Sequence, residues 1–563
     1  MADYDVIVLG TGAAGLTAAV TAAELGAEVG LFEKGATIGG TTVYSGGMIW
    51  VPGNMHEPPE KGDTREQAVE YLKALSNDTI TDEMADTYLD VGPEMVRWLD
   101  ERTPVKFRAV PDFPDYHPEQ RGGLPQGGRS LETAIYPYGE LGEWGSRVHI
   151  SPYYPSYHLT IGETTLGQAI PEPLDPEEMQ RRADNDERGM GLALGGRLLK
   201  ACLDRGVEPQ TEHRGVELIM EDGKVAGVVF ETPQGRREVR APNVVIATGG
   251  FERNPDLKRA FLRGPCTHTV AVETNEGDGL KMAMRIGAML GNMREAWWMP
   301  MIEMPTDIVP TGQQLLTYER TLPGAIMVNR SAKRFTNEAA NYNAFGGAFH
   351  EQDTIMGVYR NLPCWLIFDQ QWLNKYGFAG GLGGTEKART DWITQSDTIK
   401  GLGEKLGIDA DVLEQTVERF NANARDLHDP DFNRGWSKQD QWWGDPTLRD
   451  GTARASLGPV ENPPYYAIQV FSGALGTKGG PLTDTRARVL DVDGNVIPGL
   501  YAAGNAMASP LGMTYGGAGG TLGPAMVFGY QAGRDIASRV GKTKAPQAAA
   551  TIPPALAAAH GGA

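Results

Sequence analysis

Gly10, Gly12 and Gly15 stand at the spacing of a loop that cradles a pyrophosphate, and Glu33 follows about twenty residues later. Each has a physical job. Gly10 allows the tight turn, Gly12 lets backbone N–H groups approach the phosphates, and Gly15 lets a helix sit close on a strand. Past Ala13 and Ala14, the N-terminus of the helix that follows aims its positive end at the anion. Glu33, next to Lys34, can accept from a ribose hydroxyl pair. The chemistry is therefore that of a bound dinucleotide.

The flanking elements agree. Residues 6–9 are an apolar run of strand length rich in β-branched residues, 16–25 are Ala-rich and helix-prone, and 28–32 read as a second apolar strand. Five later stretches have the composition to continue the site. Residues 35–50 are dense in Gly, Thr and Ser, and Gly40, Thr41, Thr42, Ser45, Gly46 and Gly47 offer backbone and hydroxyl donors along a long ligand. Val216 opens a pair of strands around Glu221-Asp222-Gly223-Lys224. Ala247, Thr248 and Gly249 end a buried strand in a glycine turn. Gly504 and Asn505 do the same, and Gly520, Thr521 and Leu522 open the last helix.

The chain has 563 residues and a formal net charge of -20, with 40% hydrophobic and 22% charged residues. Its length favours two domains. Its charge argues against a nucleic-acid partner. Cys202, Cys266 and Cys364 lie far apart, without metal spacing, and read as buried small hydrophobes in a reducing compartment; no metal site is expected. No apolar run reaches the length of a membrane span, and the first strand begins within a few residues of Met1. A cytoplasmic location is the expectation.

Residues 64–101 read as helical and 106–165 as irregular, with Asp115-Tyr116-His117 and Tyr153, Tyr154 and Tyr157 inside the irregular part. Residues 476–480 read as a turn, 410–425 as a helix, and the Met- and Trp-rich stretch 297–305 as core, with an apolar wall for a flat ligand as the other reading. The expected organisation is a dinucleotide-binding domain over 1–300, an inserted domain over 301–462, a return to the first domain over 463–541, and a disordered tail over 542–563.

Taken together, GTGAAG with Glu33, GGTTVYSGG, ATGGF and LYAAGN resemble the fumarate reductase and succinate dehydrogenase flavoprotein superfamily over residues 1–540. The resemblance implies an α/β fold: a glutathione-reductase-type, Rossmann-like FAD-binding domain carrying an inserted α+β catalytic cap. It also implies FAD, and non-covalent FAD, because residues 35–50 hold no histidine. The cations that bind dicarboxylates in that superfamily are missing. Arg334-Phe335-Thr336-Asn337-Glu338 is followed by Tyr342 where an arginine is usual, and tyrosine stands again at 515. A dicarboxylate would leave its charges unpaired here.

GTKGG, LYAAGN, TYGGAGGTLGPAMVFGY and NEAANY are instead similar to the 3-ketosteroid Δ1-dehydrogenases. That likeness implies steroid degradation, with a hydrophobic ketone as substrate and an electron acceptor that the sequence does not identify. It implies that Tyr515 and the Gly519 N–H hold the ketone oxygen, that Tyr342 removes a proton from C2, that Tyr116 supports Tyr342, and that FAD takes hydride from C1. Gly516 departs from the family, which often has Pro there. Tyr318, Tyr153, Tyr154 and Tyr157 are further candidates to line the slot. The alternatives are a C4–C5 desaturase, a flavin-dependent enone reductase, or an electron-transfer subunit without a steroid site.

Overall fold

A computed structural model describes residues 2–57, 61–153, 158–377 and 391–541. Tyr154, Tyr157 and the tail from 542 onward lie outside the described residues.

The first layer is a six-stranded sheet in the order Arg488–Leu490, Val496–Ala502, Val244–Ile246, Val6–Leu9, Val29–Phe32, Pro209–Gln210. Its inner strands are parallel, with Ile7 opposite Val244 and Gly30, and Val244 opposite Leu500. Such strands are covered on both faces, which is why they read as unbroken apolar runs with no alternation. Helix Ala13–Glu24 follows the first strand and packs against the last helix, Leu522–Val540. The loops after the first, second, Val244–Ile246 and Val496–Ala502 strands open at one edge of this sheet. Ligands bind at that edge in open α/β sheets.

A second, seven-stranded sheet runs Gln313–Leu315, Ala296–Glu303, Tyr465–Thr477, Cys364–Asp369, Ala325–Asn329, with His268–Thr269 and Thr394–Ser396 also paired to Tyr465–Thr477. The expected boundaries at 301 and 462 do not follow this sheet. Tyr465–Thr477, read as part of the return to the first domain, is its central strand and pairs with Ala296–Glu303 and Cys364–Asp369 on either side. Strand pairing between residues far apart in sequence leaves no local signal.

Three more local readings change. Residues 64–101 are two helices, Arg65–Ser76 and Asp82–Arg102, broken by left-handed Asn77 and Asp78. The irregular stretch after 106 contains strands Phe107–Pro111 and Gly127–Thr133, which pair with each other, and Gly127–Thr133 also pairs with Ile49–Trp50. Gly127–Thr133 is buried throughout, so it lacks the alternation that marks a half-exposed strand. Gly476 and Thr477 end a long strand instead of forming a turn. Helix Ala410–Arg425 lies where it was expected.

The two faces of Ala296–Glu303 pack differently. Trp297, Met299 and Met301 join the aromatic cluster around Tyr116, Tyr342 and Tyr515, whereas Trp298 packs into a separate core with Cys266 and Ala474. Alternation along one strand accounts for the split.

Candidate functional site

The turn at Gly10 is built as its residue type requires. Gly10 has φ +108°, and a Cβ there would strike the Ala247 carbonyl. Gly15 faces the Gly10 carbonyl, so the helix lies directly on the strand. Gly12 differs: the nearest atom to a Cβ there is Thr42 Oγ1 at 3.5 Å, so its open side is the cavity. The Ala13 N–H donates to Thr42 Oγ1 (2.9 Å). Thr41 Oγ1 accepts from Val272 N (3.3 Å) and Asn275 Nδ2 (3.2 Å). Glu33 Oε2 accepts from Thr11 N (3.0 Å) and Thr11 Oγ1 (2.6 Å), and its other oxygen accepts from Gly35 N (2.9 Å). A carboxylate has about four acceptor positions, so this one keeps capacity for a ligand hydroxyl.

Most of these groups line one cavity. Its wall includes Gly10, Gly12, Ala13, Ala14, Glu33, Lys34, Gly40, Thr41, Thr42, Ser45, Gly46, Gly47, Ala247, Thr248, Gly249, Gly504, Asn505, Thr521 and Leu522. The same wall continues through Tyr116, Tyr342, Tyr515 and Gly519. Three expected contacts lie behind it. Gly15 is packed as described, Val216 sits in strand Arg214–Glu221 with Gly215 forming the wall beside it, and Gly520 lies beneath the Tyr515 ring. Tyr153 lines the cavity, whereas Tyr318 packs under the second sheet. The wall also contains His213, Thr274 and Asn275, along with Phe113 and Trp443 at the tyrosine end. Gly215, a glycine inside a strand, carried the one sequence signal of close approach; the others come from loops without a motif.

The three tyrosines arrive from different parts of the chain. Tyr116 sits in the loop before strand Gly127–Thr133. That loop is anchored by Asp115, which accepts from Arg129 Nη1 (2.7 Å), Trp50 Nε1 (2.8 Å) and Leu124 N (3.0 Å). Tyr342 opens the short helix Tyr342–Ala344, which Asn341 caps. The residues before it are clamped by buried cations. Arg320 donates to the Glu338 and Ala340 carbonyls, and Glu338 pairs with Arg334 and Arg434. Tyr515 precedes the last helix and is tied to Tyr116 through one carbonyl, Gly516 O, which accepts from Tyr116 N (2.9 Å) and Tyr71 Oη (2.7 Å).

At the centre, the Tyr116 hydroxyl donates to Tyr342 Oη at 3.1 Å. Ring centroids are 5.1 Å apart for Tyr116 and Tyr515, 5.5 Å for Tyr116 and Tyr342, and 5.6 Å for Tyr342 and Tyr515. The Tyr515 hydroxyl accepts from Thr521 Oγ1 (3.0 Å) at the N-terminus of Leu522–Val540, where negative charge is favoured. Gly519 has φ +98°, and a Cβ there would strike the Ile49 backbone. Burial pushes the Tyr342 hydroxyl well above its usual range, and charge on Tyr116 or Tyr515 would push it further; burial also raises Tyr515. In Tyr342 and Tyr515 the protonated form is therefore favoured, and charge on one opposes charge on the other. Among the described lining residues Lys34, beside Glu33, is the one Lys or Arg. The tyrosine end is walled by Phe113, Val270, Met299, Leu315, Trp443 and Leu475.

Comparison with known proteins bears on both ends of this cavity. The model of the FAD binding domain family matches residues 5–522. A 4-oxocyclohexanecarboxylate 2-dehydrogenase of Sinomonas cyclohexanicum is 41% identical, covering 95% of this chain and 93% of that protein. A 3-oxosteroid 1-dehydrogenase of Mycolicibacterium smegmatis is 38% identical, covering 95% and 97%. Among solved structures, the 3-ketosteroid Δ1-dehydrogenase of Sterolibacterium denitrificans, in complex with 1,4-androstadiene-3,17-dione, matches with a TM-score of 0.88 and 34% identity, covering 95% and 99%. The cofactor is FAD, and the residues present fit it: an uncapped helix N-terminus at Gly12, an open side on that glycine, and a carboxylate at Glu33. No helix among the described residues is long and apolar enough to cross a membrane.

Proposed function

The chain belongs to the FAD binding domain family, and we propose that it introduces a C1–C2 double bond into a 3-ketosteroid. The observation that carries this reading is the triad of tyrosines packed ring against ring at the apolar end of the FAD cavity. Bound FAD supplies the acceptor for the hydride that leaves C1.

The chain's own residues do the rest. Tyr515 donates to the ketone oxygen, with the Gly519 N–H beside it, and the start of the last helix favours the charge that builds there. Polarising that oxygen acidifies the C2 proton. Tyr342 takes it, and the Tyr116 hydroxyl, already donating to Tyr342 Oη, stabilises the phenolate. The aromatic walls exclude water and bind a flat apolar body.

The similarity to the 4-oxocyclohexanecarboxylate enzyme favours a second reading, in which the ketone is monocyclic and carries a carboxylate. Both substrates place a ketone in a six-membered ring. A carboxylate at the tyrosine end would meet no cation in the described wall, which favours the steroid. We also propose that FAD is held non-covalently and that the protein works in the cytoplasm, where its three free, buried cysteines stay reduced.

Anaerobic addition of androst-4-ene-3,17-dione to the oxidised holoenzyme should bleach the flavin band, and 4-oxocyclohexanecarboxylate should do so far more slowly. Faster bleaching by the carboxylate would replace the first reading with the second. Acid precipitation should leave the flavin in the supernatant; yellow precipitate would mean a covalent link.

A further inference from the structure

Lys478, in the middle of Gly476-Thr477-Lys478-Gly479-Gly480, is used neither by the FAD cradle nor by the tyrosines. It is fully buried, at 0% exposure. Its Nζ donates to the Thr514 carbonyl at 2.7 Å and stands 3.9 Å from the centre of the Trp297 ring. Glu295 and Arg263 act on it electrostatically, and they pair with each other at 3.1 Å. The second Glu295 oxygen accepts from Trp298 Nε1 (3.1 Å). Lys478 thus faces a carbonyl and an aromatic ring, with no carboxylate of its own among the described residues. A buried cation without an ion-pair partner is destabilising, so its position calls for a reason beyond packing.

Both of its contacts lead to Tyr515. Thr514 is the preceding residue, and the Trp297 ring is 4.7 Å from the Tyr515 ring. Trp297 is itself fixed by Nε1 donating to Asn505 Oδ1 at 2.9 Å, beside the FAD cavity.

Resting on the function proposed above, we infer that Lys478 is a positioning residue for Tyr515, and that its charge is matched by the negative charge that develops on the ketone oxygen held there. An interaction that strengthens only as that charge forms lowers the barrier without tightening substrate binding. Burial pushes the Lys478 ammonium well below the usual lysine range, with Glu295 opposing and Arg263 adding. An oxyanion at Tyr515 would act in the same direction as Glu295.

The test uses Lys478→Gln, which keeps a donor for the Thr514 carbonyl, and Lys478→Met, which does not. In both holoenzymes kcat with androst-4-ene-3,17-dione should fall about 10- to 100-fold while KM and FAD content stay near wild type. A second readout is estradiol, whose phenolic ring stands in for the charged intermediate. Its binding should be tighter in the wild type than in Lys478→Gln at neutral pH, and that advantage should fade as pH rises and the buried ammonium loses its proton. Unchanged kcat, a change confined to KM, or an unaltered pH response of estradiol binding in a folded Lys478→Gln overturns the inference; if Lys478→Met does not fold, the glutamine variant decides. A wild-type flavin that no 3-ketosteroid bleaches sinks the functional reading, and the estradiol arm still decides the role of Lys478.

Discussion

At the scale of single residues, the proposed chemistry divides one difficult proton transfer among three hydroxyls. As the proposed base Tyr342 must lose its proton to act, and burial raises its pKa well above the usual tyrosine value. The active form is the phenolate, so kcat/KM should rise with pH through the neutral and mildly alkaline range. A profile that falls over that range would contradict Tyr342 as base. Tyr515→Phe removes the hydroxyl proposed to polarise the ketone and should lower kcat by about 10²- to 10³-fold, measured as the rate of flavin reduction at saturating ketone. A loss confined to KM would assign Tyr515 to binding alone. The positions Tyr342 and Tyr515 were legible because they lie in motifs. Their closeness to Tyr116 was not, since no local pattern reports that residues 116, 342 and 515 share a point in space.

At the scale of elements, the accuracy of the site depends on buried ion networks that hold loops. Arg129 is 1% exposed and bridges Asp63 (2.5 Å) and Asp115 (2.7 Å), so it fixes the strand, the loop and the tyrosine that follows Asp115. Burial raises the Asp115 carboxyl, and Arg129 opposes that shift. Removing the cation strands two carboxylates in the interior. Arg129→Met should therefore cost about 3–5 kcal/mol in chemical denaturation. A cost below about 1 kcal/mol would show that the network is dispensable. None of this was readable from the irregular composition of residues 106–165. The first strand-turn-helix unit was readable, because its signals lie within thirty residues: Gly10 at a left-handed turn, Gly15 against the strand, Glu33 at the end of the next. The strand Tyr465–Thr477 shows the opposite case. Its neighbours come from residues 296–303 and 364–369, so only the folded chain reveals which sheet it serves.

At the scale of the whole molecule, two sheets meet over one cavity: the first supplies the FAD cradle, and the second carries the wall that holds Met299, with Tyr342 following it in the chain. The long strand between Ala296–Glu303 and Cys364–Asp369 ties that wall together. His350 sits where this packing is dense, with its ring 4.5 Å from Trp298 and its Nε2 3.0 Å from Ser472 Oγ. Burial lowers its pKa from 6.5 to about 4. The folded state thus resists protonation that the unfolded chain accepts. The stability from a neutral His350 is present above pH 6.5 and is lost as pH falls toward 4. Tm should drop over that window, and less steeply in His350→Gln. An equal slope in wild type and variant would place the acid lability elsewhere.

The central claim is that one proton leaves C2 to Tyr342 while the ketone is held at Tyr515. A 3-ketosteroid carrying two deuterons at C2, mixed anaerobically with a stoichiometric amount of oxidised enzyme, tests it directly. The expected product is the 1,4-diene with one C2 deuteron lost, and Tyr342→Phe should give neither product nor exchange of deuterium with solvent. A dehydrogenated product that keeps both C2 deuterons, or product formation undiminished in Tyr342→Phe, would contradict it.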